Sequence, residues 1–282
     1  MVEWIATYAL WLWALLLILA VLTGNLAWHR NARLRREAIA AGRQPELLQA
    51  RTGVILLLAM VLLFGAIAFG IGAQQSGPLA HFDMALAADL HALLPLSALR
   101  VIAVVTHLGD PLAVTAAAML VVAILLLRRQ RELAASWTLA LIGIMPINSG
   151  IKAIFQRPRP LHGHGFITEP GWSFPSGHAT GAVVFYGMLA YVLLRLLPLR
   201  WHRAIILTAV TLIGVIGISR IMLQVHYFSD VMAGYTCGLA WLVLCIGFAE
   251  WLHARSRFGA THALPGSGQP VRRSLLDESS QR

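Results

Sequence analysis

Long apolar runs, broken by short polar strings, set the pattern of this chain from end to end. Crossing the roughly 30 Å of hydrocarbon in a bilayer takes about 20 residues of helix, and seven runs reach that scale: 4–28, 52–73, 110–127, 134–155, 178–197, 204–222 and 229–251. The pattern predicts seven spanning helices in an all-α integral membrane protein. The third run is the shortest, and the residues before it can extend it. Between the second and third runs, Gln74-Gln75-Ser76-Gly77-Pro78 reads as a turn. After it Phe82, Leu86, Leu90, Leu93 and Leu94 recur at helical spacing, with Asp83 and Asp89 off the stripe. This segment fits either an interfacial helix or a plain packed one. Asp110-Pro111 reads as a helix N-cap followed by proline at the first helical position.

Composition agrees with a membrane setting. Of the 282 residues 58% are hydrophobic and 12% charged, with a mean hydropathy of +0.72, whereas soluble domains are about 45–50% apolar. Met1-Val2-Glu3-Trp4 lacks the lysine or arginine that opens a secretory signal, so the first run is expected to be retained. Cys237 and Cys245 lie eight residues apart on one expected helix. That is about 12 Å between Cα atoms, against the roughly 7 Å limit for a disulfide, so both read as core residues.

The net charge of +10 would suit a nucleic acid, but its distribution argues for membrane topology instead. Of the 22 lysines and arginines, only Arg100, Lys152, Arg157, Arg159 and Arg220 fall on one side of the seven-helix plan; all the others fall on the opposite side. The positive-inside rule then puts the amino terminus outside, the carboxyl terminus in the cytoplasm and Lys152, Arg159 and Arg220 on the extracytoplasmic side. The chain divides into an N-terminal transmembrane anchor with a basic cytoplasmic stretch (1–51), a membrane core (52–251) and a cytoplasmic tail (252–282). From about residue 256 the tail is rich in Gly, Ser, Pro, Arg and Glu and is expected to be disordered.

Three polar strings carry the chemistry. Lys152, the chain's single lysine, ends a long apolar run and is followed after six residues by Arg159-Pro160; next come Pro175-Ser176-Gly177-His178, then Ser219-Arg220, His226 and Asp230. An ionisable group in such surroundings marks a functional site. Lys152, Arg159 and Arg220 offer three cations, which is what positioning a phosphoryl group asks for. Pro158 and Pro160 stop helix continuation and leave Arg159 in a loop able to fold back over a ligand. Ser176 is placed to cap a helix whose first amides face an anion, and Gly177 permits close backbone approach. His226 and Asp230, four apart, share a helical face, so the carboxylate can hold one imidazole nitrogen while the other faces phosphorus. His107, His162 and His164 read as loop or interface residues. A zinc site at His162 and His164 would need further ligands that the local sequence lacks apart from Glu169. The glycines beside His164 follow no strand, which argues against a nucleotide-binding phosphate loop.

The three strings, in this order and spacing, resemble the signature of the type 2 phosphatidic acid phosphatase (PAP2) superfamily over roughly residues 52–250. The resemblance implies a six-helix bundle, here preceded by one additional transmembrane helix, in a bacterial inner membrane. It implies a metal-independent phosphatase without cofactor, acting on a lipid phosphate or diphosphate. Undecaprenyl diphosphate leads, followed by phosphatidate, phosphatidylglycerol phosphate and lipid A phosphates. His226 would attack phosphorus to give a phosphohistidine, Asp230 would orient it and His178 would protonate the leaving oxygen, with Lys152, Arg159, Ser176, Gly177 and Arg220 around the phosphate. A lipid phosphotransferase and a vanadate-haloperoxidase-like enzyme are the rival activities. The bilayer is the expected partner and nucleic acid is not; the oligomeric state is left open.

Overall fold

The computed structural model describes residues 2–40, 47–72, 77–161, 167 and 169–262, and every regular element among them is helical. In chain order these are α1 (Val2–Thr7), α2 (Ala9–Ala40), α3 (Ala50–Gly72), α4 (Pro78–Leu93), α5 (Leu96–Thr106), a single 3₁₀ turn (His107–Gly109), α6 (Pro111–Leu127), α7 (Arg131–Phe155), α8 (Gly177–Leu196), α9 (Leu199–Met222) and α10 (Phe228–His262). Seven stretches among the described residues are long and apolar enough to cross a membrane: Ala9–Leu34, Ala50–Gly72, Leu96–Leu127, Arg131–Phe155, Gly177–Leu196, Leu199–Met222 and Phe228–His253. The chain is an all-helical integral membrane protein. The third stretch joins α5, the 3₁₀ turn and α6, so residues before position 110 do extend it. At the other end of the chain α10 stays helical to His262, past the start of the expected tail; residues 263–282 lie outside the described part.

Local chemistry sets the helix ends. Pro78 and Pro111 occupy the first helical turns of α4 and α6, where a missing N–H costs nothing. α7 ends at Gln156 in a left-handed conformation, its N–H returned to Lys152 O, and Pro158 and Pro160 prevent the helix from resuming. Ser176 caps α8, its Oγ accepting from the Ala179 amide at 3.4 Å.

α8 and α10 form the centre. Val183, Val184, Phe185 and Met188 of α8 pack with Trp137 of α7 and with Leu242 and Cys245 of α10. Cys237 and Cys245 are both buried and unpaired. Where α10 crosses the head of α8 the backbones almost touch: a Cβ on Gly234 would lie 2.8 Å from Ser176 O. That crossing brings the first turn of α10 to the first turn of α8. α3 and α7 flank α10, α9 flanks α8, α2 lies against α9 and α1 against α4.

The segment Pro78–Leu93 is a helix, but its buried face differs from the expected stripe. Asp83, Leu86, Ala87, Leu90 and Leu94 are buried, whereas Leu93 is 47% exposed and Phe82 is half-buried. Asp83 therefore belongs to the inward face, a correction with consequences for the site.

Candidate active site

Four helix ends and two loops meet at one end of the bundle. Lys152 lies in the last turn of α7, and its ammonium donates to Trp172 O and, at 3.5 Å, to Ser173 O. Arg159, beyond the proline stop, holds the same loop: Nε donates to Gly171 O at 3.1 Å and Nη2 to Pro170 O at 3.2 Å. Its Nη1 donates to Val225 O at 2.7 Å and stands 3.1 Å from His226 Nε2. Arg220, in the last turn of α9, is fully buried. Its Nη1 donates to Thr106 Oγ1 at 2.9 Å and its Nη2 to the Glu169 carboxylate, while Nε has no partner among the described residues. A buried donor left unpaired costs about 1–3 kcal/mol and more when charged, and Arg220 is 0% exposed, so its Nε is suited to a further acceptor.

His226 sits in the turn between α9 and α10, 3% exposed. Its Nδ1 faces Ser173 Oγ at 3.3 Å and Asp230 Oδ2 at 3.5 Å. With two acceptors on that side the ring proton belongs on Nδ1, which leaves the Nε2 lone pair toward the cations. Burial outweighs the field of Asp230 and pushes the His226 pKa down to about 4, so the imidazole is neutral at physiological pH. Asp230 is itself held from every side. The Tyr227 amide donates to its Oδ2 at 2.9 Å, Ser173 Oγ donates to the same oxygen and Arg157 Nη1 donates to Oδ1 at 2.6 Å.

Arg157 carries this support back to α4. Its Nη2 donates to Asp83 Oδ2 at 2.8 Å, Nη1 also to Ser229 Oγ at 2.8 Å, and its guanidinium lies 4.2 Å from the Tyr227 ring centroid. Burial works against the Arg157 charge, but Asp230 and Asp83 outweigh it and hold its pKa up. For Asp83 burial wins and pushes the carboxyl up, against hydrogen bonds from Ser229 and the charge of Arg157.

His178 occupies the second position of α8, 7% exposed. Its Nε2 is 3.4 Å from Asp110 Oδ1 and its Nδ1 is 3.7 Å from Glu169 Oε1. Glu169 thus places one carboxylate between Arg220 and His178, and its field also reaches Lys152 and Arg159. A carboxylate in that position stands where an anionic oxygen of a ligand would bind.

Residues 132–254 match the PAP2 superfamily. This stretch is a PAP2 domain. Within it lie Lys152, Arg159, Ser176, Gly177, His178, Arg220, His226 and Asp230. The chain is 37% identical over 106 residues to phosphatidylglycerophosphatase B of Bacillus subtilis (37% of this chain, 52% of that protein). It is 32% identical over 164 residues to lipid A 1-phosphatase of Rhizobium johnstonii (52% of this chain, 60% of that protein). It therefore spans about half to three fifths of the length of these relatives. Among solved structures, the transmembrane PAP2-type phosphatidylglycerolphosphate phosphatase of Bacillus subtilis superposes with a TM-score of 0.64 at 26% identity, covering 70% of this chain and 96% of that one.

The PAP2 domain brings the sequence-selected residues to one place: Arg159 against His226, Asp230 behind it, Arg220 and His178 sharing Glu169, and Lys152 and Arg159 on one loop. Gly177 is half-buried beside Asn148, whose side-chain nitrogen would lie 3.4 Å from an added Cβ. His162, His164 and the glycines beside His164 lie outside the described residues. Asp110 needs a correction. It holds the N-cap position of α6, but its side chain makes no cap hydrogen bond and turns to His178 and His107 instead. Sequence reasoning also passed over Arg157, Asp83, Ser173 and Thr106. A usable signal existed for Asp83, which lies three residues before Leu86 and seven before Leu90, on the face those leucines bury.

Proposed function

We propose that this chain is a membrane phosphatase that removes phosphate from a lipid phosphate or diphosphate through a phosphohistidine on His226. The observation that carries the reading is the neutral, buried His226, its Nε2 facing Arg159, with Lys152 and Arg220 close enough for their fields to act on this group of charges. Like charges repel in a partly dry site; a phosphate among them turns that repulsion into attraction. Chemistry follows from the two nitrogen pairs. His226 Nε2 attacks phosphorus, the bond from phosphorus to the lipid oxygen breaks, and that oxygen takes a proton from His178. Water then attacks the phosphohistidine and gives its proton to His178. The P–N bond breaks and inorganic phosphate leaves with the Nε2 lone pair restored. Asp230 holds the Nδ1 proton throughout, and Arg157 holds Asp230.

The residues that grip phosphate read only phosphate, so the choice of lipid rests on other support. The relatives' names favour phosphatidylglycerol phosphate as the first substrate to test, with lipid A phosphates, phosphatidate and undecaprenyl diphosphate beside it. For orientation, the support is the grouping of Lys152, Arg159 and Arg220 at one bundle end and Arg128, Arg129, Arg131, Arg200 and Arg203 at the other, a distribution that favours a site on the extracytoplasmic face of an inner membrane by the positive-inside rule. Purified protein in detergent, given each lipid in the presence of a chelator, should release phosphate from at least one of them. Release only when a divalent ion is restored, or none from any lipid, would overturn the reading.

A further inference from the structure

We propose that Asp110 is the positioning residue of the acid histidine: it holds Nε2–H of His178 so that Nδ1 is the nitrogen that gives the proton to the leaving oxygen. The inference rests on the lipid-phosphatase reading above and adds to it a residue outside the PAP2 domain match at 132–254.

Geometry begins with Pro111. A residue before proline is driven out of the helical region, and Asp110 is extended, at φ −61° and ψ 134°. Its side chain makes no hydrogen bond to the α6 amides, although aspartate at an N-cap ordinarily does so. Instead the two carboxylate oxygens are divided between two imidazoles: Oδ2 lies 2.6 Å from His107 Nδ1 and Oδ1 lies 3.4 Å from His178 Nε2. The turn that carries Asp110 is seated on α8 at two points. At Gly109 a Cβ would come within 2.7 Å of Ile216 on α9 and 3.1 Å of His178 Cδ2, so glycine lets this backbone lie close to the ring edge. At Leu108 the carbonyl accepts from Tyr186 Oη at 2.8 Å, two turns along the helix that bears His178.

The consequence is a choice of nitrogen. His178 has a carboxylate on each side, Asp110 at Nε2 and Glu169 at Nδ1. Glu169 also occupies Arg220, the cation a phosphate needs, so a bound phosphate displaces the contact at Nδ1 and leaves that at Nε2 in place. The proton retained by Asp110 sits on Nε2, and the proton delivered comes from Nδ1. Without Asp110 the ring is free to take the other tautomer or to rotate, and the acid is misaligned.

A general acid matters in proportion to how poor the leaving oxygen is, and it contributes roughly 10²–10⁴-fold. We therefore expect Asp110→Asn to lower kcat/KM on an alkyl phosphate, such as a short-chain phosphatidate, by about tenfold to a hundredfold. On an aryl phosphate with an acidic phenol the same variant should lose about threefold or less. The variant keeps a good N-cap residue, and its activity on the aryl phosphate reports that it folds. Combined with His178→Ala it should add almost nothing on the alkyl phosphate, because the residue it positions is gone. His107→Gln should show the same selectivity more weakly. Equal loss on both substrates, or full additivity with His178→Ala, would overturn the positioning role while leaving the phosphatase reading intact. If the wild type releases phosphate from neither substrate while folded, the reading itself fails.

Discussion

As the proposed nucleophile, His226 has to present a lone pair and keep its proton in the same buried place. Its pKa of about 4 lies below the 6.5 of an exposed histidine, so the folded state favours the neutral ring. The stability this contributes is fully present above pH 6.5 and is lost as pH falls from there toward 4. In ¹⁵N-labelled protein, with the His226 signal assigned by its loss in His226→Gln, the ring should stay neutral at pH 6 and titrate near 4; a midpoint near 6.5 would contradict the nucleophile assignment. Around it, charge alone is not enough. Arg159 and Arg220 each direct separate nitrogens to different acceptors, a fork that lysine lacks. Arg159→Lys and Arg220→Lys are each expected to lose at least about tenfold in kcat/KM, with weaker inhibition by vanadate, as loss of a bidentate contact implies. Retention of activity in both would remove the pair from the phosphate site. These residues are legible in the sequence because each is a charge or an imidazole set against apolar surroundings. Asp110 and Arg157 are not, and Asp83 only through its register with Leu86 and Leu90, because the contacts Asp110–His178, Arg157–Asp230 and Arg157–Asp83 join residues 68 to 74 apart along the chain and only the packing of α4, α6 and α10 brings them in.

Helix ends do the assembly, so the site depends on how closely those ends approach. Gly234 is the tightest point between α10 and the head of α8, with Ser176 O, Ala179 Cβ and Thr180 Oγ1 all within 3.1 Å of where a methyl would sit. Two of these three atoms belong to the Ser176–Ala179 cap turn, so little can yield. Gly234→Ala should move the first turn of α10, with Asp230, away from His178. We expect kcat/KM to fall on alkyl and aryl phosphates alike while the protein still extracts and purifies as wild type. Wild-type activity would mean the crossing tolerates slack. At this scale the sequence pattern serves well for the spanning helices, whose length is set by the bilayer. It serves less well for α4, where Leu86, Leu90 and Leu94 are buried as drawn but the stripe took in Phe82 and Leu93 and left out Asp83, which is buried with them. It allows for the extension of the third span back through α5 but not for its form, a 3₁₀ turn followed by Asp110-Pro111 that interrupts the periodicity without ending the span.

Across the whole molecule, the two bundle ends differ in charge and in chemistry, and the proposed orientation rests on that contrast. With Cys237 and Cys245 replaced by alanine, Leu161→Cys, at a position 91% exposed at the site end, should react with a membrane-impermeant thiol reagent on spheroplasts. Arg131→Cys should react only after lysis. The reverse pattern would put the site in the cytoplasm. The proposed hydrolysis turns on one covalent bond. The most direct measurement is to mix purified protein with a lipid carrying ³²P in its terminal phosphate, quench within milliseconds without acid and map the label by peptide sequencing. The account predicts an acid-labile phosphoenzyme with the label on His226, absent from His226→Ala. Label on any other residue, or a phosphoenzyme that survives in His226→Ala, would contradict it.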